Sequence, residues 1–549
     1  MTDFRTSAAI LTVWALGAGC ATGRPAIVGS PSSGASPGSV VSDGSRDGAP
    51  AAPAPLYGNL GPHARPIVTS SDLAQRYFDD GLLLMYAFGP GAAVESFRAA
   101  QTEDPGCAIC YWGEAWARSP YLNGGMSPGD ERSAHVAIQK ALDHRAGASE
   151  VEQALIDAFS VRFEAEPSGD RRKPLDSLYA RRMGEVADGF PDDLDVQTLH
   201  AEALMLLRPR RGSVDLEAPD VRAILPILEG VLRRDIRHPG ACHLYIHLLE
   251  ASSDPGRAEA CADYLGDQIA ISHIRHMPSH IYMNIGRYTD AVRSNQRAWH
   301  ADQMAEHGGP PGVYPSHNLH MLLFAAVLDG QSAVAIQAAK DLSRVQPSWA
   351  WYVPVTLAIF GRWDEVLALT DEPADSFQAA MWHYARGMAL LRTGDAPGAA
   401  REVARVEALR LEVGEDAQFR FHDQRDLLGI PYGILAAEIA HAAGRGEEAI
   451  EVLETALAIE DGLVYDEPEP WHLPVRHVLG AVLLDLGRPA EAEVVYRAAL
   501  ADHHDTGWSL LGLEQSLQAQ GRIAEARETR AAYERSWSRA DIWLRSSRF

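Results

Sequence analysis

Residues 92–117 read AAVESFRAAQTEDPGCAICYWGEAWA, and this stretch decides the fold. Apolar residues recur in it at helical spacing. The first helical segment ends in acidic residues followed by Pro105, which cannot continue a helix. A second helical segment follows and carries Tyr111, Trp112 and Gly113. The stretch therefore predicts two consecutive helices joined by a tight turn.

Later turns repeat this pattern with a glycine at the end of one helix and a small residue in the next. Glycine suits a helix C-terminus because it tolerates a positive φ, and the small residue lets paired helices approach closely. The turn glycines are Gly286, Gly361, Gly394, Gly444, Gly487 and Gly521, and the small residues are Ala291, Ala399, Ala449, Ala492 and Ala526. Two intervals are about 34 residues, the tetratricopeptide period. The chain resembles a tetratricopeptide-repeat protein, so we expect an all-α helical-hairpin solenoid with irregular repeats.

The predicted helical body begins near Asp72, and no run of alternating strands interrupts it. We divide it into N-terminal helical repeats at 71–235, central histidine-rich repeats at 236–345 and C-terminal tetratricopeptide-like repeats at 346–549. A chain of 549 residues is long enough for several domains or one extended array.

The chain is acidic, with a formal charge of −25 and a pI near 5.2. Nucleic acid and anionic membrane surfaces attract basic proteins, so this charge argues against both as partners. A peptide or protein ligand in a concave groove is the partner typical of a repeat fold.

The N-terminus, MTDFRTSAAILTVWALGAGC, has a short apolar run that ends in small residues and Cys20. The run is too short to span a bilayer and is typical of a secretory signal. It resembles a bacterial lipoprotein signal, which implies lipidation of Cys20, although Gly17 stands where such signals usually carry leucine. An ordinary cleaved signal and a wrongly assigned start codon are the alternatives.

Residues 21–70 are rich in Ala, Gly, Ser and Pro, and we predict a flexible linker there. An anchor followed by a linker predicts an exported protein of the cell envelope, periplasmic or attached to the outer membrane. The lipid on Cys20 would be its membrane contact.

Histidines arrive as three pairs between residues 242 and 321, each spaced to lie on one face of a helix. Imidazole and carboxylate groups on adjacent turns are ligands for transition metals. The candidate metal ligands are His243, His247, Glu250, His276, His280, His317 and His320. Without thiolates, such a set suits Zn, Fe, Mn or Cu. The competing interpretation is a hydrogen-bonded structural histidine cluster.

Four further residues lie in the same motifs. Tyr245 and Tyr282 could orient a bound water, and Arg275 and Arg287 could hold an anionic substrate. Packing aromatics and exposed ion pairs are the alternative roles for these side chains.

The motifs HMPSHIY at 276–282 and YPSHNLH at 314–320 resemble those of a family of large bacterial tetratricopeptide-repeat proteins. The resemblance extends from about Tyr77 to Trp537. It implies the repeat fold, and it implies no particular activity.

Cys107 and Cys110 form a CxxC for which a local disulfide is the favoured outcome in an oxidising compartment, and Cys242 and Cys261 either pair or remain thiols. The segment EPEPWHLPVRH at 467–477 reads as a packing loop, with a place in the groove wall as the alternative. We find no Gly-rich phosphate loop, GxSxG elbow or HExxH motif.

Two functions from different classes follow. One is an exported repeat protein with a metal site that serves a metal-dependent hydrolase or oxidase. The other is a non-catalytic interaction scaffold with structural histidines. Metal trafficking or storage is a third class, and the chain lacks the thiolates typical of it.

Overall fold

The computed structural model describes residues 54–58, 60–209 and 212–549. All of them belong to one compact unit, Gly48–Phe549. A second unit, Met1–Asp47, lies outside the described residues, and so do the predicted signal sequence and Cys20. The three predicted helical segments therefore share a single unit.

The described residues are predominantly helical. The first helices are α1 Asp72–Tyr86, α2 Pro90–Glu103, α3 Ala108–Ala117, α4 Pro128–His144, α5 Glu150–Ser160, α6 Arg172–Gly189, α7 Leu194–Met205 and α8 Pro219–Arg234. The central helices are α9 Pro239–Leu249, α10 Glu259–Gln268, α11 Ser272–His276, α12 Pro278–Asn284, α13 Tyr288–Ala305, α14 Pro315–Leu328 and α15 Ser332–Val345.

The last helices are α16 Tyr352–Ile359, α17 Trp363–Ala368, α18 Ser376–Arg392, α19 Ala396–Glu412, α20 Gln424–Ala442, α21 Gly446–Asp461, α22 Val475–Asp485, α23 Pro489–Asp502, α24 Gly507–Ala519 and α25 Ile523–Ser536. Short 3₁₀ turns occur at Arg145–Gly147, Gly169–Arg171, Pro255–Ala258 and Pro347–Trp349. Sequential helices pack against each other as antiparallel hairpins through most of the chain.

Strand structure within the described ranges is one small antiparallel hairpin, β1 Gln418–Phe419 with β2 His422–Asp423. The all-α solenoid fold is therefore confirmed. None of the described helices is both long enough and apolar enough to cross a bilayer.

The predicted glycine turns are confirmed. All six glycines have positive φ, between 65° and 95°. At Gly487 this conformation lets the Arg488 N–H donate to the Leu483 carbonyl at 2.9 Å, which satisfies a carbonyl at the end of α22. The alanines that follow these turns are buried between paired helices.

Tyr496 shows how tightly the C-terminal helices pack. Its ring lies between α22 and α24, where both neighbours are glycine. A Cβ added to Gly512 would lie 2.1 Å from the ring, and one added to Gly480 would lie 2.4 Å from it. The Tyr496 hydroxyl also meets the Ser547 hydroxyl at 2.7 Å, so this ring joins three helices to the C-terminal segment.

The structured body begins earlier than the predicted boundary at residue 70. The Tyr77 hydroxyl donates to the Ala54 carbonyl at 3.0 Å, and Leu60 is buried with its carbonyl bonded to the Ala270 N–H at 2.8 Å. Arg65 forms ion pairs with Asp193 and Asp195. The linker prediction was therefore wrong for residues from about 54 to 70. The small-residue composition ends near residue 54, and the residues after it carry apolar and charged side chains that pack and form ion pairs.

We expect Gly512→Ala to destabilise the protein by about 1–3 kcal/mol, because the new methyl group overlaps the Tyr496 ring. Gly230→Ala is the matched control inside α8, where the nearest atom is a flexible arginine tip at 3.8 Å. It should stabilise by about 0.5–1 kcal/mol through helix propensity. Thermal unfolding followed by circular dichroism measures both, and equal melting temperatures would contradict the packing account.

Candidate metal centre

Helix α9 supplies the first histidine pair. It begins at Pro239, with the His238 side chain capping it by accepting the Ala241 N–H at 3.1 Å. His243 and His247 lie one turn apart on this helix, and Glu250 is its C-cap residue. This agrees with the predicted one-face arrangement.

Helices α11, α12 and α14 supply the other histidines. His273 and His276 lie on α11, and His280 follows on α12, which begins at Pro278 as expected for a proline in the first turn. His317 lies on the first turn of α14, directly after Pro315. His273 was missed in the sequence, although its spacing of three residues from His276 was a usable signal.

The structure gathers six histidines into two adjacent groups of three. One group is His243, His247 and His273, and the other is His276, His280 and His317. Within each group, one ring nitrogen per residue lies within 4.8 Å of the others. The groups adjoin, because the His273 and His276 rings have centroids 5.7 Å apart and the His247 and His280 rings 6.0 Å apart.

Oxygen acceptors hold the Nδ1 atoms of four of these rings. The acceptors are the Tyr86 carbonyl for His243 at 2.5 Å, Glu250 Oε1 for His247 at 2.8 Å, Asn295 Oδ1 for His276 at 2.6 Å, and Glu250 and Glu467 for His280 at 2.9 Å each. An acceptor oxygen requires the proton on Nδ1, which leaves Nε2 as the ligand atom. Metal-binding histidines in proteins are held in this way.

His276 and His280 share a proton in the metal-free centre. Their Nε2 atoms are 2.8 Å apart, and His276 Nε2 must accept because its Nδ1 donates to Asn295. His280 Nε2 therefore donates, so this ring is an imidazolium. Burial lowers the pKa of His280, but Glu250 and Glu467 outweigh it and raise the pKa to about 10.

The buried rings of His243, His273 and His276 are neutral near pH 7. Burial is the main cause that takes the pKa of each well below its usual value, and the neighbouring histidines add to the effect. Neutral imidazole is the form that binds a metal ion. These three rings are therefore in the form that binds a metal ion, whereas His280 has to release a proton before it can do so.

Glu467 comes from the loop between α21 and α22 and is the second carboxylate at His280. It belongs to the segment 467–477, for which the sequence predicted a packing loop. The sequence therefore did not predict that Glu467 contacts a histidine of the centre. Glu250, predicted as a ligand, lies between two rings and accepts from His247 and His280. As placed, it orients both imidazoles.

Arg420 holds the Glu467 loop in place. Its guanidinium donates to the Glu467 carbonyl at 2.8 Å and forms an ion pair with Asp466. The same guanidinium lies 3.1 Å from His320 Nδ1. Arg420 thus connects the β1–β2 hairpin to the carboxylate that reaches the centre.

His320 lies outside the two groups, although it was predicted as a ligand. Its Nε2 meets the Tyr352 hydroxyl at 2.6 Å and His472 Nε2 at 3.1 Å. One turn of α14 separates it from His317. The His317 ring belongs to the group of His276 and His280, whereas the His320 ring contacts Tyr352 and His472. His320 belongs to the network that fixes the Glu467 loop.

The four predicted orienting or substrate residues point to other partners. The Tyr245 hydroxyl donates to Glu229 at 3.0 Å, and the Tyr282 hydroxyl donates to Asp263 at 2.7 Å. Arg287 pairs with Glu259, Asp263 and Asp290, and Arg275 donates to the Ile269 carbonyl at 3.2 Å. These contacts agree with the alternative roles, packing aromatic residues and ion pairs, that the sequence analysis kept open for the four side chains.

Two residues beside the centre adopt the left-handed backbone conformation that side chains rarely take. Phe88 has φ 55° and Tyr314 has φ 57°. The Phe88 ring lies 4.2 Å from the His243 ring, and the Tyr314 ring lies 5.1 Å from the His273 ring. Such strain is found mainly where the surrounding structure enforces it, often at functional sites.

A separate cluster of His63, Asp195 and His238 also has ligand-like spacing. Asp195 Oδ1 accepts from Tyr86 at 2.6 Å and lies 3.1 Å from His238 Nε2, while Arg65 donates to Oδ2. His238 Nδ1 accepts the N-terminal N–H of α9. With its atoms engaged, this cluster is a structural network that attaches the N-terminal segment.

Both candidate cysteine pairs lie at bonding distance. Cys107 and Cys110 form one disulfide, with Cα atoms 5.4 Å apart, and Cys242 and Cys261 form the other, with Cα atoms 5.0 Å apart. The second disulfide joins α9 to α10 beside the centre.

A cavity of about 220 Å³ opens at one edge of the centre. His280 and Glu467 line it, together with Phe324, Tyr465 and Trp471. His280 is otherwise buried, so the cavity is the route by which a small molecule could reach it.

Family models for the tetratricopeptide repeat match residues 381–405 and 440–513, which span α18–α19 and the end of α20 through α24. No curated protein sequence matches the chain. Similar solved structures include the Cut9–Hcn1 hetero-tetramer of APC/C, at 13% identity, TM-score 0.28, over 85% of this chain and 76% of that one.

Two further similar structures are a tetratricopeptide repeat protein from Parabacteroides merdae and yeast Tom70. The first is 12% identical with a TM-score of 0.26, over 49% of this chain and 99% of the other. The second is 12% identical with a TM-score of 0.25, over 84% and 90%. The chain thus contains tetratricopeptide repeats, and its described residues form an all-α solenoid of that type.

We expect Glu467→Gln to lower the pKa of His280 from about 10, because one of its two carboxylate partners is lost. His280 has a higher pKa in the folded protein than in the unfolded chain. Its charge therefore stabilises the fold below the unfolded value of about 6.5, and this contribution is lost as the pH rises through about 10. Near pH 7 the variant should be less stable by about 1–3 kcal/mol, and the difference should shrink at high pH.

Histidine-ring NMR titration and urea unfolding of the metal-free protein measure the two effects. Glu469→Gln is the matched control, because that carboxylate pairs with His503 and not with His280. An identical response of the two variants would show that Glu467 does not act on His280.

Proposed function

We propose that this chain is a tetratricopeptide-repeat scaffold whose histidine centre binds transition metal ions. The observation that carries the proposal is the orientation of the rings. Four Nδ1 atoms are fixed by oxygen acceptors, and the rings that carry them belong to two groups whose ligand nitrogens converge. A carbonyl or carboxylate behind a ligand histidine is typical of metal sites.

Both ring nitrogens of His238 are hydrogen-bonded, as expected for a structural histidine. His243 and His273 differ from it. Each is 1% exposed, yet among the described residues His243 Nε2 and both nitrogens of His273 make no hydrogen bond. Leaving a buried polar atom unsatisfied costs about 1–3 kcal/mol. A bound cation would remove that cost for His243 Nε2 and for one nitrogen of His273.

The donor set suggests the class of ion. Imidazole nitrogens backed by carboxylates, with no thiolate among them, suit Zn, Fe, Mn or Cu. Glu250 and Glu467 supply the negative charge that a divalent ion needs in a buried site.

Three imidazoles leave one position of a four-coordinate ion for water or substrate. The cavity is lined by His280 and Glu467 and would give a small molecule access to that position. Metal-dependent hydrolysis or oxidation of a small molecule that enters by this cavity is the activity that we propose for the centre.

The repeat matches favour a second candidate function, a protein-interaction scaffold. Repeat surfaces of this class commonly bind peptides or proteins, and the matched residues 381–405 and 440–513 lie outside the histidine-bearing helices. Export, with a lipid on Cys20, stays a prediction for both candidates.

The untagged protein, first stripped of metal with a chelator and then freed of the chelator, should bind Zn²⁺ near stoichiometrically. Binding of Zn²⁺ should raise the melting temperature because the ion binds only the folded state. We expect His276→Ala to bind less metal than the wild type and to show a smaller thermal shift. His477→Ala is the matched control, since it removes another buried histidine, one that bonds to Ser509. Mass spectrometry of metal content measures the result. A wild type that stays metal-free after incubation with Zn, Fe, Mn and Cu would refute the proposal.

If the chain acts only as a scaffold, wild type and His276→Ala should enrich the same proteins from cell-envelope extracts with equal affinity. Selective loss of a small-molecule turnover in His276→Ala, with partner binding intact, would favour the enzymatic function instead.

A further inference from the structure

We infer that the centre holds two metal ions side by side, with the second ion bound by His243, His247 and His273. This inference rests on the proposed function, because it adds a distinct site to it. The first ion would occupy His276, His280 and His317.

The first step is that one ion cannot serve all six rings. Metal–nitrogen bonds are about 2.0–2.1 Å long, so nitrogens around one ion must lie within a few ångströms of each other. The ring nitrogens meet this condition as two groups of three. In one of these groups, the Nε2 atoms of His276 and His280 already lie 2.8 Å apart.

The second step is that an ion in the first group leaves the second group unsatisfied. His273 contacts rings of both groups, and the nearest is His243, with a centroid distance of 5.0 Å, followed by His276 at 5.7 Å and His247 at 6.2 Å. Both of its nitrogens, and Nε2 of His243, have no hydrogen bond among the described residues. These buried atoms require an occupant of their own.

The third step identifies that occupant as a cation. His243 and His247 donate from Nδ1 to Tyr86 and Glu250, so both present lone pairs on Nε2. His273 adds a third lone pair, because a neutral imidazole always carries one. A water molecule has two protons and fits only when His273 presents its N–H, whereas a metal ion accepts lone pairs from all three rings. Three imidazoles are a sufficient set for zinc or copper.

The walls of the second group support the same conclusion. Phe88 packs against all three rings, with centroids 4.2, 5.5 and 5.6 Å from His243, His247 and His273. This apolar ring offers the three imidazoles no hydrogen-bond partner. Phe88 adopts its uncommon backbone conformation at this contact.

The two ions would be coupled through Glu250. Its Oε1 accepts from His247 in one group and its Oε2 contacts His280 in the other. A single carboxylate therefore orients one ligand of each ion. Two-metal sites in enzymes are typically about 3.5–4 Å apart and act together on one substrate.

The test is metal stoichiometry with variants that each touch one group. His273→Gln removes a ligand of the second ion, and His317→Gln removes a ligand of the first, while both keep side-chain volume. We expect two equivalents of Zn²⁺ in the wild type, one in each single variant and none in the double variant. His477→Gln should keep two equivalents. Circular dichroism verifies the fold of every variant.

Loading with Cu²⁺ supplies a second readout. Two neighbouring Cu²⁺ ions should show dipolar broadening in the electron paramagnetic resonance spectrum. Each single variant should instead give the sharp spectrum of an isolated ion.

One equivalent in the wild type that is lost in both single variants would overturn the two-ion inference and would leave the proposed metal site standing. Two equivalents in His273→Gln would also overturn it, because the second ion would then lie elsewhere. A wild type with no metal would refute the proposed function itself.

Discussion

The centre depends on the carboxylate of Glu250, which lies between His247 on α9 and His280 on α12. A buried carboxylate is costly unless it is fully paired, and here two imidazole Nδ1 atoms pair with it. The carboxylate accepts at Nδ1 of both rings, so it leaves Nε2 of each ring as the ligand nitrogen. A second polar contact joins the same two helices, because the Asn284 side chain donates to the Glu250 carbonyl at 3.0 Å.

The repeat fold provides the geometry for that contact. Sequential helical hairpins place α9, α11, α12 and α14 beside each other, so residues far apart in the chain share one interior. The interior also contains satisfied polar networks, such as the one around Asp195. Other buried nitrogens, such as Nδ1 of His472 and of His477, have no hydrogen bond among the described residues either. His243 and His273 differ from these because they belong to a group of three rings whose nitrogens converge.

The Glu467 loop connects the centre to the C-terminal repeats. Arg420 donates to the carbonyls of Glu467 and Pro468, and His320, His472 and Tyr352 complete that network. The loop also forms a wall of the cavity that leads to His280. A ligand bound in the cavity would contact the histidine centre and the C-terminal repeats at once.

Much of this protein could be predicted from the sequence. The glycine turns, the helix starts at Pro278 and Pro315, and the one-face pairs on α9 depend on local backbone rules, which hold wherever the segment packs. Tertiary structure alone decided that Glu467 reaches His280, that His317 and His320 enter different clusters, and that Phe88 and Asn295 border the rings. Those contacts join residues that are distant in sequence. The distances between them depend on how the helical hairpins stack, and the local spacing of residues does not determine that stacking.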